Sequence, residues 1–432
     1  MELKKYRRKR EIPIGWKEIK LGDVFRTSSG ATPLTTELSY YEGGNIPWIN
    51  SGELASPYIY STSNYITQKG FDNSSTEIYP KGTILVAMYG ATAGKASMLK
   101  ITACTNQAIC AILPNDDYCP EFIKYNIDTL YEHLVGLSSG SARDNLSQAG
   151  LKELKLVLPK TKKEQENLIA VLSLLDSKIE LNKQINDNLE AMAKQLYDYW
   201  FVQFDFPNED GKPYKSSGGA MVWNEKLKRE IPIGWTCCSI KEMCDINKKT
   251  INKDEHKQIE YLDTGSITQG HISNTEIYRV DMAPSRAQRK VEDLSILYSS
   301  VRPRLLHYGI LSTPKENFIV STGFVTLDAK CKNMALMVYY FLTSNTITEH
   351  LASIADTAVS SYPSISPDDI ANLDIVIPSN DIIQKYNDIV EPMFRKMSTL
   401  RKEIDSLTKQ RDELLPLLMN GQATVNYHLS DD

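Results

Sequence analysis

The sequence predicts an α+β protein. Two mixed, β-rich domains are joined by two long antiparallel coiled-coil helices, and the whole forms a pseudo-two-fold internal duplication. Three observations predict this fold. A seven-residue segment occurs twice, the segment between Pro159 and Pro207 contains neither glycine nor proline, and the C-terminus repeats its helical spacing of apolar residues. Apolar residues spaced alternately four and three apart are typical of paired long helices.

The segment 160–206 is predicted to be one long helix. Thr161 and Glu164 stand at the spacing of a capping box at its start. Asn182 and Asn186 interrupt the apolar seam at its middle, where polar residues usually fix the register of a helix pair at some cost in stability. The predicted seam residues of this helix are Leu172, Leu175, Ile179, Leu189 and Leu196.

The segment 379–421 is predicted to be the partner helix. Arg411 is the one charged member of its seam, and Pro392 is expected to kink or divide it because proline removes a backbone donor and clashes with the preceding turn. The predicted seam residues are Met397, Leu400, Ile404, Leu407 and Leu414. We expect an antiparallel pair within one chain. The alternative is two unrelated surface helices that pack on separate cores.

Composition sets limits on the class of protein. A chain of 432 residues, 41% hydrophobic and 24% charged, is typical of a soluble globular protein with two or three domains. No stretch approaches the roughly 18 uninterrupted apolar residues of a membrane span, and the basic N-terminus lacks the apolar core of a signal peptide. Seven scattered cysteines without a histidine pair at zinc spacing indicate reduced thiols in a cytoplasm. A net charge of −5 argues against indiscriminate binding of nucleic acid, although a local basic surface is compatible with it.

The chain contains two copies of one unit. Arg10-Glu-Ile-Pro-Ile-Gly-Trp16 recurs identically as Arg229 to Trp235, 219 residues later. At the same distance, Leu154-Lys-Leu-Val-Leu-Pro159 matches Leu373-Asp-Ile-Val-Ile-Pro378, and each match is followed by one of the long helices. Two copies make a duplication rather than an extended solenoid. The predicted divisions are 10–159 for the first domain, 160–206 for the central helix, 207–228 for a loop-rich connector, 229–378 for the second domain and 379–421 for the C-terminal helix.

Short apolar runs between turn residues predict the strands of both domains. In the first domain, strands are predicted at Ile46–Trp48, Thr83–Met88, Ala96–Leu99, Ala108–Leu113 and Leu154–Leu158, with a helix at Glu121–Leu134. In the second domain, strands are predicted at Glu260–Leu262, Leu294–Tyr298, Gly309–Leu311 and Phe324–Leu327, with a helix at Ala335–Ala352.

This arrangement resembles the specificity subunit of a type I restriction–modification system over residues 10 to 425. Five local patterns support the resemblance through their order: Gly44–Trp48, Tyr89–Lys95, Thr105–Gln107, Ser139–Leu146 and Ser300–Arg304. None of them is specific singly. The resemblance implies that each domain is a target recognition domain that reads one half of a bipartite site in double-stranded DNA. A helix of about 40 residues spans roughly 60 Å, or on the order of 18 base pairs, which is enough to separate two such domains.

The resemblance also implies the partners and the chemistry. The helices would space the domains and bind two methyltransferase subunits, and restriction subunits with motor and nuclease activity would join the complex, with no membrane involved. The chain itself would catalyse nothing and would hold no metal and no cofactor. S-adenosylmethionine, ATP and Mg are expected in the partner subunits, which carry out adenine N6 methylation and restriction.

Candidate DNA-contacting residues in the first domain occupy three loops. They are Tyr89, Thr92, Lys95, Asn106, Gln107 and Arg143. Gly90 and Gly94 permit a tight loop that presents residues to a phosphate or base edge, although their spacing is not that of a P-loop. Asparagine and glutamine can bind adenine through two hydrogen bonds, and arginine can reach phosphate or guanine. The alternatives are an ordinary hairpin turn, an amide satisfied by the backbone and a solvated loop.

Candidates in the second domain are Arg302, Arg304, His307, Ser360 and Tyr362. The first three flank Pro303 after a strand, and arginine is the commonest reader of guanine. Ser360 and Tyr362 correspond through the duplication to the loop that contains Arg143. Solvated charge is the alternative interpretation of the arginines, and it is favoured for a separate basic cluster at Arg286, Arg289 and Lys290.

Three other functions compete with this interpretation of the sequence. A coiled-coil scaffold that binds only protein would explain the helices but not two β-rich domains with polar loops. Asn45-Ile-Pro-Trp48 looks like the target-amine motif of amino-methyltransferases, yet the chain lacks a glycine-rich cofactor loop and the strand–helix alternation of a doubly wound sheet. Asp144 with Glu153-Leu-Lys155 is similar to a metal-nuclease motif, but no proline precedes Asp144 and the lysine lies in a predicted strand.

Overall fold

The computed structural model describes residues 12–138, 146–357 and 363–423. The chain divides into two compact units. The first unit comprises residues 1–180 and 405–432, and the second unit comprises residues 181–404, so the division falls within both long helices. Among the described residues, none of the helices combines the length and the apolar character that crossing a membrane requires.

The first unit is built on a five-stranded sheet of order β2-β9-β6-β7-β4, a three-stranded sheet of order β5-β3-β8 and the antiparallel pair β1-β10. Its strands are β1 Trp16–Lys20, β2 Thr27–Ser29, β3 Ile46–Ile49, β4 Tyr58–Ile59, β5 Tyr65–Ile66, β6 Ile84–Ala87, β7 Ala96–Leu99, β8 Cys104–Thr105, β9 Ile109–Ile112 and β10 Lys155–Pro159. Its helices are α1 Leu21–Val24, α2 Gln68–Asp72, α3 Pro120–Asp128, α4 Tyr131–Ser138 and α5 Gln148–Lys152, and the long helix α6 Lys162–Tyr197 begins here.

The central strands of this sheet are buried on both faces. Side chains of a strand alternate between faces, and those of β6 divide accordingly between two hydrophobic clusters. Ile84 and Val86 pack with the α3 residues and with Leu172 of α6, whereas Leu85 and Ala87 pack with Tyr79 and its neighbours. An unbroken apolar run is the pattern expected of a strand covered on both sides, which is why the sequence marks β6 so clearly.

The second unit contains two four-stranded sheets, of order β14-β23-β20-β21 and β18-β15-β22-β19, and three two-stranded pairs. Its strands are β11 Met221–Asn224, β12 Arg229–Pro232, β13 Thr236–Ser239, β14 Cys244–Ile246, β15 Gln258–Leu262, β16 Ile267–Thr268, β17 His271–Ile272, β18 Glu276–Arg279, β19 Ala287–Lys290, β20 Ile296–Ser299, β21 Tyr308–Ile310, β22 Phe318–Ser321, β23 Phe324–Ala329 and β24 Asp374–Ile377. Its helices are α7 Ile240–Met243, α8 Ala335–Leu342, α9 Asn345–Thr357 and α10 Pro367–Ala371, and most of the long helix α11 Asn380–Met419 lies here.

The two units share one topology, which confirms the duplication. The sheet order β2-β9-β6-β7 of the first unit recurs as β14-β23-β20-β21 in the second, and the parallel pair β3-β8 recurs as β15-β22. The closing pairs β1-β10 and β13-β24 are also equivalent. The amide of Leu21 donates to the carbonyl of Leu154 over 2.9 Å, and Ile240 donates to Leu373 over 3.0 Å, with each donor and acceptor displaced by the repeat distance.

Several predicted boundaries differ from the structure. The predicted helix Glu121–Leu134 is two helices, α3 and α4, and the predicted helix Ala335–Ala352 is likewise α8 followed by α9. The connector 207–228 is not entirely loop, because it contains β11, which pairs with β12 as an antiparallel hairpin. The apolar run Met221-Val-Trp223 provides this strand, but the glycines and prolines before it obscured the signal.

The two long helices form largely as predicted. Thr161 and Glu164 make the capping box, with Thr161 Oγ1 accepting from the Glu164 amide over 3.3 Å. α6 ends at Tyr197 and continues as a π-helical turn, Asp198–Val202, rather than running to residue 206. Pro392 was expected to kink or divide the second helix, and the division is wrong, because α11 is continuous from Asn380 to Met419. The kink stays a prediction. Buried Val390 and Phe394 anchor the chain on both sides of this proline, and that packing offsets the lost backbone hydrogen bond.

Within each unit the two helices run antiparallel. In the first unit Asp176 of α6 lies 3.1 Å from Arg411 near the end of α11, and in the second unit Glu190 lies 3.2 Å from Arg401. Of the predicted seam, Leu172, Ile179, Met397 and Leu400 are buried. The half-buried members are Leu175, Leu189, Leu196, Ile404, Leu407 and Leu414. The antiparallel arrangement is therefore confirmed within each unit, and knobs-into-holes packing stays a prediction.

Candidate nucleic-acid interface

Two groups of predicted residues occupy equivalent loops. Tyr89, Thr92 and Lys95 lie in the loop 88–95 between β6 and β7, and the second group lies in the loop 300–307 between β20 and β21. These strand pairs hold the same place in the two repeated sheets. We call these two segments the hairpin loops. The sequence alone did not reveal their equivalence, because the two loops share no identity.

The hairpin loops have the same backbone pattern. In the first, Gly90 and Gly94 adopt φ angles of 89° and 81°. In the second, Arg302 and Leu306, also four residues apart, adopt φ angles of 47° and 58°. Only glycine visits this left-handed region without steric cost, so the second loop maintains the conformation with two side chains that disfavour it. The Arg302 amide donates to the carbonyl of Pro363 over 3.0 Å, which helps to fix this corner.

In the first hairpin loop, Tyr89 is exposed and Lys95 is half-buried. Thr92 differs from the prediction. Its side chain is only 8% exposed and its hydroxyl donates to the carbonyl of Ser51 over 2.7 Å. Thr92 therefore positions the loop rather than presenting a hydroxyl to a ligand.

The loop between β8 and β9 separates the roles of Asn106 and Gln107. Asn106 is engaged internally: its Oδ1 accepts from the Ala108 amide over 3.1 Å, and its Nδ2 donates to Asn50 over 3.3 Å. Gln107 is exposed, and its Oε1 accepts from the Thr32 hydroxyl over 2.5 Å. Gln107 is thus the surface member of the pair, in line with the expectation that one of the two amides is satisfied internally.

A polar network behind Asn106 was missed by the sequence analysis. Glu53 accepts hydrogen bonds from the amide of Asn50 over 2.8 Å and from the side chain of Asn64 over 3.2 Å, and Asn50 in turn accepts from Asn106. The signal that could have revealed it is the three-residue spacing of Asn50 and Glu53, which is that of a capping box.

In the second hairpin loop, Arg304 is held by two carboxylates of α9. It lies 3.1 Å from Glu349 and 2.7 Å from Asp356, and these hydrogen bonds, led by that to Asp356, raise the pKa of the guanidinium. All three side chains are more than half exposed. Pairs of this kind contribute little to stability, but they do orient the guanidinium.

His307 closes the second hairpin loop. Its half-buried ring places Nδ1 2.6 Å from the carbonyl of Ile267 and 3.2 Å from the hydroxyl of Thr268, so Nδ1–H donates to strand β16. The histidine therefore fastens the loop to the body of the domain. Arg289, from the separate basic cluster, is half-buried and donates to the carbonyl of Asn247 over 3.0 Å, which agrees with its lower rank as a DNA reader.

Arg143, Ser360 and Tyr362 lie outside the described residues. The described elements beside them contact the hairpin loops. A Cβ on Gly94 would lie 3.2 Å from Leu134 of α4, and Val301 forms an isolated β-bridge with Ser364. In both units the hairpin loop therefore lies against an element adjacent in sequence to these candidates.

The long helices bind the two domains through opposite charges at equivalent positions. Asp176, which is buried, accepts from Tyr125 over 2.6 Å, Tyr58 over 3.2 Å and Arg411 over 3.1 Å. Burial raises the pKa of Tyr125, so its hydroxyl remains a donor. This contact explains why Arg411 is the charged member of the predicted seam.

The position 219 residues after Asp176 is Arg395. It donates to both carboxylate oxygens of Asp293, over 2.6 and 2.7 Å, and to Glu391 over 3.0 Å. The hydrogen bond from Arg395 lowers the pKa of Asp293, and the amide of Thr313 assists. The two domains are therefore fastened to their helices at the same place by different chemistry.

These features define a class of protein with two repeated β-rich domains carried on a pair of long helices. A sequence profile described as the type I restriction modification DNA specificity domain matches residues 13–191 and again residues 232–409. The chain belongs to the family of type I restriction–modification specificity subunits. The two matched segments coincide with the duplication seen in the sequence and in the sheet topology.

Relatives match either nearly the whole chain or about half of it. The MjaIX specificity subunit of Methanocaldococcus jannaschii is 30% identical over 430 residues, covering 96% of this chain and 95% of the relative. The EcoR124I/EcoR124II specificity subunit of Escherichia coli is 24% identical over 210 residues, 46% of this chain and 50% of that protein. The crystal structure of the S subunit from M. genitalium has the same fold, with a TM-score of 0.59 at 18% identity over 93% of this chain and 96% of that one.

Proposed function

We propose that each domain reads one half of a bipartite site in double-stranded DNA. The chain directs two methyltransferase subunits to methylate adenine at N6, and it directs restriction subunits with motor and nuclease activity to the same site. The observation that carries this proposal is the pair of equivalent hairpin loops, which present different side chains on one repeated scaffold. Equivalent placement with unlike side chains suits two domains that read different sequences.

The exposed side chains suit contacts to base edges. Gln107 can bind adenine through its amide, and Arg302 and Arg304 can bind guanine through N7 and O6, each good pair giving about 1–3 kcal/mol of discrimination. Tyr89 and Lys95 suit the sugar–phosphate backbone, where contacts set register rather than sequence. Glu349 and Asp356 orient Arg304 for a two-hydrogen-bond contact while repelling phosphates that approach out of register.

The chain is proposed to be non-catalytic and to act in the cytoplasm. S-adenosylmethionine, ATP and Mg belong to the partner subunits in this proposal. The cysteines are free thiols, and burial raises the pKa of Cys110 to about 12 and that of Cys244 to about 12. Such protonated, buried thiols are unreactive and suit a reducing compartment.

The second candidate function is a scaffold that binds only protein. The paired helices favour it, since they need no DNA to explain them. A DNA mobility shift with the methyltransferase subunits present separates the two functions, because a scaffold gives no shift that depends on sequence.

The decisive experiment maps N6-methyladenine across the host genome with and without this gene. We expect loss of one bipartite motif whose two halves are separated by a fixed number of base pairs. The parallel measurement uses the reconstituted complex with labelled S-adenosylmethionine and a library of DNA duplexes. Methylation that ignores the sequence on both sides of the spacer would overturn the proposal.

A further inference from the structure

The seven-residue repeat forms the same turn in both units. The amide of Trp16 donates to the carbonyl of Pro13 over 3.0 Å, and Trp235 donates to Pro232 over 3.1 Å. The glycines between them, Gly15 and Gly234, adopt φ angles of 85° and 83°. A positive φ at the third position is the mark of a type II turn, and it requires glycine. We call Pro13–Trp16 and Pro232–Trp235 the repeat turns.

Folding explains the glycine and the tryptophan of each repeat turn. Trp235 is buried against Phe206, with ring centroids 4.7 Å apart, and Trp16 meets Phe122 edge-on at 6.2 Å. The isoleucine at the second position of each turn has neither a conformational role nor a packing role of this kind. Ile14 is fully exposed, and Ile233 is 59% exposed. Polar residues or proline ordinarily fill this position of a turn.

The unbroken identity between the copies ends at Trp16 and Trp235. The four residues after Trp16 are Lys-Glu-Ile-Lys and those after Trp235 are Thr-Cys-Cys-Ser, although both runs form equivalent strands, β1 and β13. A shared fold therefore does not by itself require identical residues in the two copies. An exposed, β-branched apolar side chain kept at the same tip in both copies indicates a surface contact that both copies make.

Both repeat turns adjoin a long helix. In the first unit the carbonyl of Gly15 accepts from the amide of Lys160, two residues before α6, and Gly421 at the end of α11 lies against Pro13. In the second unit Trp235 packs on Phe201, in the π-helical turn that follows α6, with ring centroids 6.0 Å apart. The repeat turns are thus continuous with the helices to which the proposed function assigns the methyltransferase subunits.

We propose that the two repeat turns are equivalent docking points, each inserting its isoleucine into an apolar pocket of one methyltransferase subunit. The inference rests on the proposed function for the identity of the partner. A surface that occurs twice in one chain binds two copies of one partner through the same contacts, as in assemblies built by repetition. A single apolar anchor in a desolvated pocket is a common source of binding energy.

The test measures subunit stoichiometry without DNA. The full-length chain is coexpressed with its methyltransferase subunit, and native mass spectrometry and sedimentation count the bound subunits. In Ile14→Asp and Ile233→Asp, we expect the affinity for one of the two subunits to fall by at least about tenfold, because a buried carboxylate without a partner is strongly disfavoured. At a protein concentration between the wild-type and the raised dissociation constant, each single variant then yields mainly a complex with one methyltransferase, and the double variant yields mainly the free chain.

The controls use exposed apolar residues outside the repeat. Leu38→Asp in the first unit and Ile277→Asp in the second, at 63% and 71% exposure, are expected to keep both subunits. Ile14→Val and Ile233→Val are expected to do the same because the branched apolar shape is retained. A double Asp variant that binds two subunits with wild-type affinity would sink the inference, as would equal losses in the controls. Because stoichiometry is read without DNA, failure of sequence-specific methylation in the wild-type complex is a separate result that counts against the proposed function alone.

Discussion

Arg302 combines an unfavourable backbone with a favourable chemistry for DNA. A side chain at a φ of 47° is strained by about 1–2 kcal/mol relative to glycine. Its equivalent in the first hairpin loop is Gly90, so the repeated scaffold accepts glycine at this corner. Strain that persists at one member of a repeated pair points to a functional demand on that side chain.

Arg302→Gly separates these two roles. The relieved strain and the greater freedom of glycine in the unfolded chain oppose each other, so we expect the free energy of unfolding to stay within about 1 kcal/mol of wild type. Affinity of the reconstituted complex for its site is expected to fall by roughly 10- to 100-fold, equivalent to about 1–3 kcal/mol. Thermal unfolding and DNA titration measure the two quantities. Unchanged affinity would remove Arg302 from the interface, and Arg279→Gly, at an exposed strand residue, serves as the control.

Asp293 gives the second unit a pH-dependent attachment. Its pKa is lowered, first by the hydrogen bond from Arg395, and the folded state therefore prefers the ionised carboxylate. A depressed folded pKa contributes stability above the unfolded value of about 3.9, and that stability is lost as the pH falls through the folded value. Asp293→Asn is expected to lower the free energy of unfolding by about 1–3 kcal/mol at pH 7.

The difference in free energy of unfolding between wild type and Asp293→Asn is expected to shrink below about pH 4, because Asp293 of the wild type is then protonated and loses its charge. Urea unfolding of both proteins at pH 7, 4 and 3 measures this difference. Asp281→Asn is the matched control, since its ion pair with Arg279 is exposed on both sides. A deficit that stays constant with pH would show that the carboxylate charge is not the source of the stability.

At the scale of single residues, the sequence predicted which residues are unusual better than it predicted the contacts that they make. Arg411 stood out as a charge in an apolar seam, but its partner Asp176 lies 235 positions away in sequence and no spacing rule connects them. Thr92 was placed in the correct loop and assigned the wrong orientation. Burial of one hydroxyl depends on where the carbonyl of Ser51 lies, which is a property of the folded chain.

Among the elements, α11 shows most clearly that tertiary packing can override the low helix propensity of one residue. Proline in a helix interior costs about 3 kcal/mol relative to alanine, yet this helix runs unbroken past Pro392. Its buried face, which includes Tyr386, Val390 and Phe394, belongs to the main core of the second unit. Tertiary burial on both sides of the proline therefore decides the outcome.

Pro392→Ala is expected to stabilise the second unit. The alanine amide can donate to the carbonyl of Asp388, and the gain is partly offset by the more flexible unfolded chain, which leaves about 1–2 kcal/mol. Chemical denaturation read by far-UV circular dichroism measures this change. Lys396→Ala, an exposed substitution one turn later with similar helix propensity, should leave stability unaltered. A destabilised Pro392→Ala would mean that the proline shapes the path of α11 in a way the core requires.

Elements marked by a clear apolar run between turn residues were predicted well. Breaks and strands that depend on tertiary contacts were not. β7 was predicted with its observed bounds, Ala96–Leu99, because it is a short apolar run between turn residues. The breaks between α3 and α4 and between α8 and α9 were missed, since neither carries a proline or glycine. The hairpin β11-β12 was missed because half of it lay in a repeat segment interpreted only as a domain start.

For the whole molecule, the net charge predicts that the methyltransferase subunits make most of the phosphate contacts. The chain carries a net charge of −5, and one of its candidate readers, Arg304, is already paired with two carboxylates. Each phosphate contact adds about 0.9 to the slope of log K against log salt. We expect the chain alone to bind its site weakly with a shallow slope, and the complex with methyltransferase subunits to bind with a much steeper one. Equal slopes in a salt titration would place the phosphate contacts on this chain.

The opposite charges at positions 176 and 395 also bear on how such a gene can recombine. Tyr58 and Tyr125 are matched to the carboxylate of Asp176, and Asp293 is matched to the guanidinium of Arg395. A crossover between the end of β10 and codon 176 that put the second domain in place of the first would set Asp293 against Asp176, a pair of like charges. A crossover beyond that codon would carry the domain and its fastening together. For an exchange between these two domains, the segment that keeps its charge partner is therefore longer than the domain, and it ends inside the helix.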